Sequence, residues 1–219
     1  MRIENKQGQG MIELIIAIAV ITVGLFAAWT LFLSNFNSEQ EAKARVIGAN
    51  LAREGIEAVK NIRDSNWLYK DENIYDGDNL WDFDHGLGDG SYIVGNLYDY
   101  EQDGEAMITL EEISEEEVDK SKLYYDTNGF MTHENEGGEK YSGYSRIIII
   151  RNICCQVLEN DETKVFLKQC KDQDFRIIEN GECDAGSAKI GIDVQSQVKW
   201  LLEGKPRSVL IQEQLFDWK

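Results

Sequence analysis

A single carboxylate, Glu13, lies near the start of an apolar run that continues to Leu33 without another charge. Placing an ionised carboxylate at bilayer depth costs roughly 2–3 kcal/mol or more, so such a group requires a partner. The chemistry expected of Glu13 is therefore ion pairing in an apolar environment. A glutamate at the membrane interface, hydrated by lipid headgroups, is the alternative interpretation.

The four cysteines offer thiol chemistry; they are Cys154, Cys155, Cys170 and Cys183. In an exported chain an even number of cysteines indicates disulfide bonds. A bond between the neighbours Cys154 and Cys155 would strain the backbone, and on a strand their side chains point to opposite faces. We therefore expect each of them to bond either Cys170 or Cys183. Zinc is the alternative, but the chain has no CxxC spacing.

Two acidic clusters contain the oxygen ligands that calcium prefers. The first consists of Asp99, Glu101, Asp103 and Gly104, followed by Glu111. Its spacing begins like an EF-hand loop, but Leu110 occupies the twelfth position and the glutamate comes one residue late. The second consists of Asp76, Asp78, Asp82 and Asp84, without a loop signature. A solvated acidic loop is favoured in both places, and no metal or other cofactor is expected.

The sequence offers no catalytic constellation. The two histidines, His85 and His133, lie in polar segments rich in glycine and aspartate, which is typical of solvated surface residues. The sequence contains no phosphate-binding loop, nucleophile elbow or pair of metal-binding histidines. We therefore expect that the chain is not an enzyme.

Residues 9–36 must form the element that carries Glu13. About 20 apolar residues suffice to cross the hydrocarbon core of a bilayer as a helix. The run is too long for a cleaved secretory signal, and it is apolar on all faces rather than along one stripe, as a soluble core helix would be. Arg2 and Lys6 precede it, which predicts a single-pass protein of the cytoplasmic membrane with its C-terminal domain outside.

The start of the chain resembles the class III leader of type IV pilins: Gly8, the uncharged Gln9, Glu13 at the fifth position after the glycine, and an apolar helix beyond. The resemblance implies that prepilin peptidase cuts between Gly8 and Gln9 and that the new amine of Gln9 is methylated. It also implies that Glu13 pairs with this amine of a neighbouring copy and so sets the register between subunits. The chain departs from many major pilins in having Gln9 where they have phenylalanine, and in lacking a mid-membrane proline.

The resemblance extends to two later segments. Residues 49–67 look like the end of the first helix in minor pilins of the pilus-modification type, and residues 197–200 and 209–218 look like the last hairpin of that family. This implies a minor pilin that assembles with other pilin subunits through the pilus assembly platform and reaches a cell-surface pilus. A pseudopilin of a type II secretion system, and a single-span anchored binding domain outside the membrane, are the alternatives.

Beyond the apolar run, residues 37–66 are predicted to form an amphipathic half of the same helix. One face of this half carries Ile47, Leu51, Ala52, Ile56, Ala58, Val59 and Ile62. Such a stripe requires a sheet, and strands are predicted over residues 90–97, 122–125, 145–153, 190–202 and 208–218, the last two joined by a turn at 203–206.

The predicted fold class is α+β, a long N-terminal helix packed on an antiparallel β-sheet of about four strands, as in pilins. The predicted organisation is a leader peptide over residues 1–8, a membrane or filament-core helix over 9–36, its amphipathic half over 37–66, and a globular domain over 67–219. An insertion is predicted at residues 159–189 of that domain.

The charge balance restricts the partners. The formal net charge is −18, from 40 acidic and 22 basic residues. Because phosphate contacts need clusters of lysine and arginine, no binding of nucleic acid is expected. An acidic surface instead fits solubility outside the cell or attraction of cations.

Overall fold

The computed structural model describes residues 7–71, 87–95, 108–133, 135, 140–157, 170–178, 181–184 and 187–216. Within these ranges, the description covers only the backbone at residues 7–9, 67–71, 115, 156, 157 and 170–174. The chain divides into two compact units, Met1–Val46 and Ile47–Lys219.

Helix α1 spans Gln7–Asp71 and contributes to both units. In the first unit its large apolar side chains, from Met11 to Phe36, are exposed. Among the described residues, α1 is the one helix that is long and apolar enough to cross a membrane. This helix is therefore a candidate membrane span near the N-terminus.

In the second unit, α1 packs on an antiparallel sheet of eight strands within the described residues. The strands are β1 (Gly90–Val94), β2 (Leu110–Glu112), β3 (Lys122–Tyr125), β4 (Met131–Thr132), β5 (Lys140–Val157), β6 (Cys170–Ile178), β7 (Ser187–Leu202) and β8 (Lys205–Phe216). A 3₁₀ helix, Glu115–Ser121, precedes β3. The α+β class is as predicted.

Strand β5 organises the sheet because 18 residues give it room for several partners. One side of β5 pairs with β7, and β7 pairs with β8. The other side pairs with β3, β1 and β6 in succession along its length, while β4 extends β3 and β2 extends β1. The prediction of about four strands was wrong because short strands arranged in series along one long strand have little periodicity of their own.

The core lies between α1 and one face of β5, β7 and β8. Alternate residues of a strand point to the same face, and the apolar residues of the core that face the helix are Ile148 and Ile150 of β5, Ile192 and Val194 of β7, and Leu215 of β8. The predicted helix stripe is confirmed at Leu51, Ala52, Ile56, Ala58, Val59 and Ile62, all of which are buried.

Two boundaries differ from the prediction. Helix α1 continues to Asp71 instead of ending at residues 64–66, since residues 67–71 contain neither glycine nor proline. The turn between β7 and β8 consists of Glu203 and Gly204 alone, both with positive φ (51° and 74°), as a two-residue type I′ hairpin requires. Pro206 is therefore a residue of β8, where it lies opposite Leu201 of β7. Among the described residues β8 pairs only with β7, so the missing N–H of Pro206 costs no hydrogen bond of the sheet.

Two glycines of α1 permit the close approach of helix and sheet. A Cβ at Gly48 would lie 2.8 Å from a ring carbon of Trp200, and one at Gly55 would lie 2.6 Å from Ser196 Oγ. These glycines are seven positions apart, which corresponds to two helical turns, so both lie on the face turned to β7. The sheet therefore comes nearer to the helix backbone than larger residues would allow.

Candidate functional site

The N-terminal candidate site lies at the start of α1. Gly8 and Gln9 are in its first turn, where backbone N–H groups have no partner within the helix. The side chains of these two residues, and all of residues 1–6, lie outside the described part. Glu13 follows Gln9 by four positions, or about one helical turn, so the two residues lie on the same face of the helix.

Glu13 stands among exposed apolar side chains. Its neighbours Ile12 and Leu14 are 64% and 60% exposed. Within the part of the chain that the structure describes, no cation lies within ion-pair distance of this carboxylate. Over the apolar run to Leu33, the helix therefore presents one charged side chain among exposed apolar ones.

The two hydroxyl groups of the apolar segment form hydrogen bonds within the helix itself. The hydroxyl of Thr22 donates to the carbonyl of Ala19 at 2.9 Å, and that of Thr30 donates to the carbonyl of Ala27 at 2.8 Å. Trp29 and Phe32 stack with their ring centroids 6.0 Å apart near the end of the apolar run. Internal satisfaction of polar groups is what a bilayer demands, and aromatic rings are enriched at its interface.

The cysteines form the second predicted group. Cys154 of β5 is bonded to Cys183, with their Cα atoms 5.7 Å apart, so the neighbours Cys154 and Cys155 are not bonded to each other. Cys155 is also disulfide-bonded, and the side chain of Cys170 lies outside the described residues. A bond that closes 29 residues of chain contributes about 3–4 kcal/mol by restricting the unfolded state.

Hydrogen bonds reinforce this bridge at Gly181. The amide of Asn152 donates to the carbonyl of Gly181 at 2.8 Å, while the N–H of Gly181 donates to a carboxylate oxygen of Asp89 at 3.0 Å. The segment 181–184 is thus held by the sheet through Asn152 and Cys154 and by the loop before β1 through Asp89. Part of the predicted insertion at 159–189 belongs to the sheet itself, because β6 pairs with β5.

The proposed calcium ligands are mostly beyond the described residues. The cluster at Asp76–Asp84 and the positions Asp99 to Gly104 fall there, as does His85. Glu111, the last member of the first cluster, is described: it lies on β2 and forms an ion pair with Lys120 at 2.8 Å. Among the described residues, no three histidine, cysteine or acidic side chains converge as metal ligands do.

His133 is not the solvated loop residue that its sequence context indicates. It follows β4 and is largely buried, with Nδ1 3.1 Å from the carbonyl of Val94 and Nε2 3.3 Å from the carbonyl of Arg146. Burial, and then the positive charge of Arg146, lower the pKa of His133 from 6.5 to about 4. Sequence reasoning missed this contact because β4 consists of only two residues.

Acidification is expected to destabilise the second unit through His133. The folded state keeps the ring neutral down to about pH 4, whereas the unfolded chain binds a proton near pH 6.5, so stability is lost as the pH falls between these values. The expected loss is on the order of 2 kcal/mol after allowance for partial exposure. The free energies of unfolding of the native chain and of His133→Gln, each measured at pH 7 and pH 4.5, give this loss. Carboxylates titrate in both proteins, so their contribution disappears from the difference between the two. An equal loss of stability in both proteins would contradict the role of His133.

Arg146 is the second residue that sequence reasoning missed. It lies on β5 with 2% of its surface exposed, yet it carries a charge. Its Nη1 donates to the carbonyl of Leu51 at 3.1 Å and lies 3.0 Å from Glu54 Oε1, so it ties the sheet to the helix. An arginine directly before four isoleucines was the only signal, and it read as the polar end of a buried strand.

Comparison with known proteins found no match: no protein-family profile, no curated protein and no solved structure matches the chain.

Proposed function

We propose that the chain is a minor pilin or pilin-like structural subunit of a type IV pilus. In this proposal prepilin peptidase cleaves it between Gly8 and Gln9, the new amine of Gln9 is methylated, and the assembly platform draws it from the cytoplasmic membrane into a fibre with other pilin subunits. The role is structural, with no reaction catalysed by the chain itself. The observation that most supports this proposal is a helix whose first half is apolar with one carboxylate and whose second half is amphipathic and packs on a sheet.

The physical argument concerns the pairing of Glu13. Cleavage leaves a free amine at the end of an apolar helix, and bundling with an axial stagger brings that amine to the Glu13 of another copy. In a medium of low dielectric constant the two charges attract strongly and offset the cost of burying each. Pairing then fixes the axial offset between neighbours, because any other stagger leaves both charges buried and unpaired.

Two measurements on cells that possess the peptidase test the proposal. N-terminal sequencing of the purified chain should begin at Gln9, and a chain that retains Met1 would reduce it to an anchored domain. Mass spectrometry of fibres sheared from the cell surface should contain the chain. A processed chain that is missing from sheared fibres would favour the pseudopilus of a type II secretion system.

The Glu13→Leu variant is expected to insert into the membrane normally but to enter fibres at least about tenfold less. Without the carboxylate, the amine of the neighbouring copy is buried unpaired, which costs roughly 2–3 kcal/mol. Quantitative mass spectrometry of membrane and sheared fractions gives the ratio. Glu39→Leu is the matched control: it removes a carboxylate from the same helix beyond the apolar run and should leave the ratio unchanged. Equal incorporation of the two variants would refute the role of Glu13.

A further inference from the structure

The hairpin between β7 and β8 ends in a surface whose charge is opposite to that of the chain as a whole. Residues 199–207, here called the basic tip, contain Lys199, Lys205 and Arg207 against the single carboxylate Glu203. The whole chain has a net charge of −18. Leu201 lies in the basic tip with 71% of its surface exposed, on the same face of the hairpin as Lys199, whereas Lys205 pairs with Leu202 on the other face. An exposed leucine beside a cation is a recognisable docking feature, since apolar contact and charge can act together.

A surface of complementary character lies on the same unit. Residues 110–122, here called the acidic ridge, contain six carboxylates and two lysines. Lys120 binds Glu111 at 2.8 Å and Glu117 at 2.9 Å, and Lys122 binds Asp119 at 2.7 Å. Val118 in the middle of the ridge is 55% exposed. Each surface thus has one exposed aliphatic side chain and a majority of charges of one sign, basic on the tip and acidic on the ridge.

Two carboxylates of the ridge are left for a partner. Glu112 and Glu116 are exposed, and no cation lies within ion-pair distance of either in the described part of the chain. Lys199 and Lys205 on the basic tip are exposed in the same way and have no such carboxylate among the described residues. The unpaired cations and the unpaired carboxylates are therefore on different surfaces.

Strand register gives the spacing of these two surfaces across the sheet. Ser208 pairs with Lys199, Lys199 with Ser145, and Ser145 with Lys122, which makes one row across four strands. Neighbouring strands are about 4.8 Å apart, so this row is about 14 Å wide. Lys199 of the basic tip lies on β7 in this row, two strands away from Lys122, the residue of β3 at which the acidic ridge ends.

Like charges repel, so two basic tips or two acidic ridges cannot join, whereas the basic tip of one copy and the acidic ridge of another attract each other. A contact between two different surfaces is heterologous, so it repeats from copy to copy and generates a ring or a helical fibre instead of a closed dimer.

We propose that the basic tip of one copy binds the acidic ridge of the next, with Leu201 against Val118 and with Lys199 and Lys205 facing Glu112 and Glu116. This contact deepens the proposed subunit function by naming the surfaces through which globular units join. It rests on that function only in requiring copies that share one membrane or fibre.

A zero-length carbodiimide crosslinker tests the contact, because it joins only amines and carboxylates that touch. Two differently tagged full-length chains are produced in one cell. One carries Lys199→Arg and Lys205→Arg, which keep the charge but remove the amines; the other carries Glu112→Gln and Glu116→Gln. An amide between these lysines and these carboxylates can then form only between two chains that carry different tags.

We expect a mixed-tag dimer whose crosslinked peptides join Lys199 or Lys205 to Glu112 or Glu116. Either variant produced alone should give at least about tenfold less of these peptides. The internal link between Lys120 and Glu111, which are 2.8 Å apart, is the positive control within the same sample. Absence of the mixed dimer while this internal link forms would overturn the contact, and so would equal dimer yields from each variant alone.

N-terminal sequencing of the same sample separates the two proposals. Crosslinking in a chain that retains Met1 would support the contact and refute processing. A chain that starts at Gln9 and enters fibres without the crosslink would refute the contact and leave the subunit function standing.

Discussion

Replacement of Arg146 with alanine is expected to lower the free energy of unfolding by about 3 kcal/mol or more. The change empties a fully buried site and removes the hydrogen bond to the Leu51 carbonyl. Replacement with methionine should cost about 1 kcal/mol or less, because it fills similar volume and a buried charge is often replaced by an apolar side chain without loss. Urea unfolding of the full chain in detergent, followed by tryptophan fluorescence, measures both variants.

The contrast depends on the position of the partner carboxylate. The side chain of Glu54 is 57% exposed, so it remains hydrated when the arginine is removed. Arg53→Ala, which removes an exposed arginine one residue away on the helix, should change stability by less than about 0.5 kcal/mol. If methionine proves as damaging as alanine, the charge of Arg146 and not its volume stabilises the contact. The methionine variant should also raise the pKa of His133, since the charge of Arg146 lowers it.

Gly55→Val is expected to destabilise the second unit by about 3 kcal/mol. A Cβ at this position would lie 2.6 Å from Ser196 Oγ and 3.3 Å from the side chain of Ile148, so valine forces the helix away from the sheet. The same urea titration measures the loss. Asn61→Val, at an exposed position of the same helix, should be nearly neutral.

A double substitution tests the cause of this effect. Gly55→Ala alone should be destabilising, but with Ser196→Ala it should become neutral or stabilising, because the clashing hydroxyl is gone and alanine favours the helix by about 1 kcal/mol over glycine. Ser196 Oγ is buried without a hydrogen-bond partner among the described residues, so its removal carries little cost. Additive losses in the double variant would show that the steric explanation is wrong.

The elements that could be predicted from the sequence are those with a strong period of their own. The apolar stripe of α1 predicted the buried face because helical spacing places Ile56, Val59 and Ile62 together. The β-branched run around Ile148 predicted a central strand, and the alternating segments beside Gly204 predicted the last hairpin. These signals are local, so they survive without knowledge of the fold.

The remaining features depend on pairings between distant segments. The short strands β2 and β4 exist because β1 and β3 offer them an edge, and β6 has a polar sequence that reads as a loop. The burial of His133 and the closeness of Gly55 to Ser196 arise only when the sheet is assembled. Of the candidate site, the position of Glu13 on an apolar helix could be predicted from sequence, whereas its counter-ion belongs to another molecule in the proposal.

Whether the bond between Cys154 and Cys183 forms depends on the compartment that each copy of the protein occupies. Thiols stay reduced where glutathione and thioredoxin act, and they oxidise outside such compartments. In the proposed topology, a copy that has not been exported would lack this bond, and among the described residues its segment around Gly181 would keep the hydrogen bonds to Asn152 and Asp89. The oxidation state of these sulfurs would then report whether a given copy has been exported, and alkylation of intact cells measures that state.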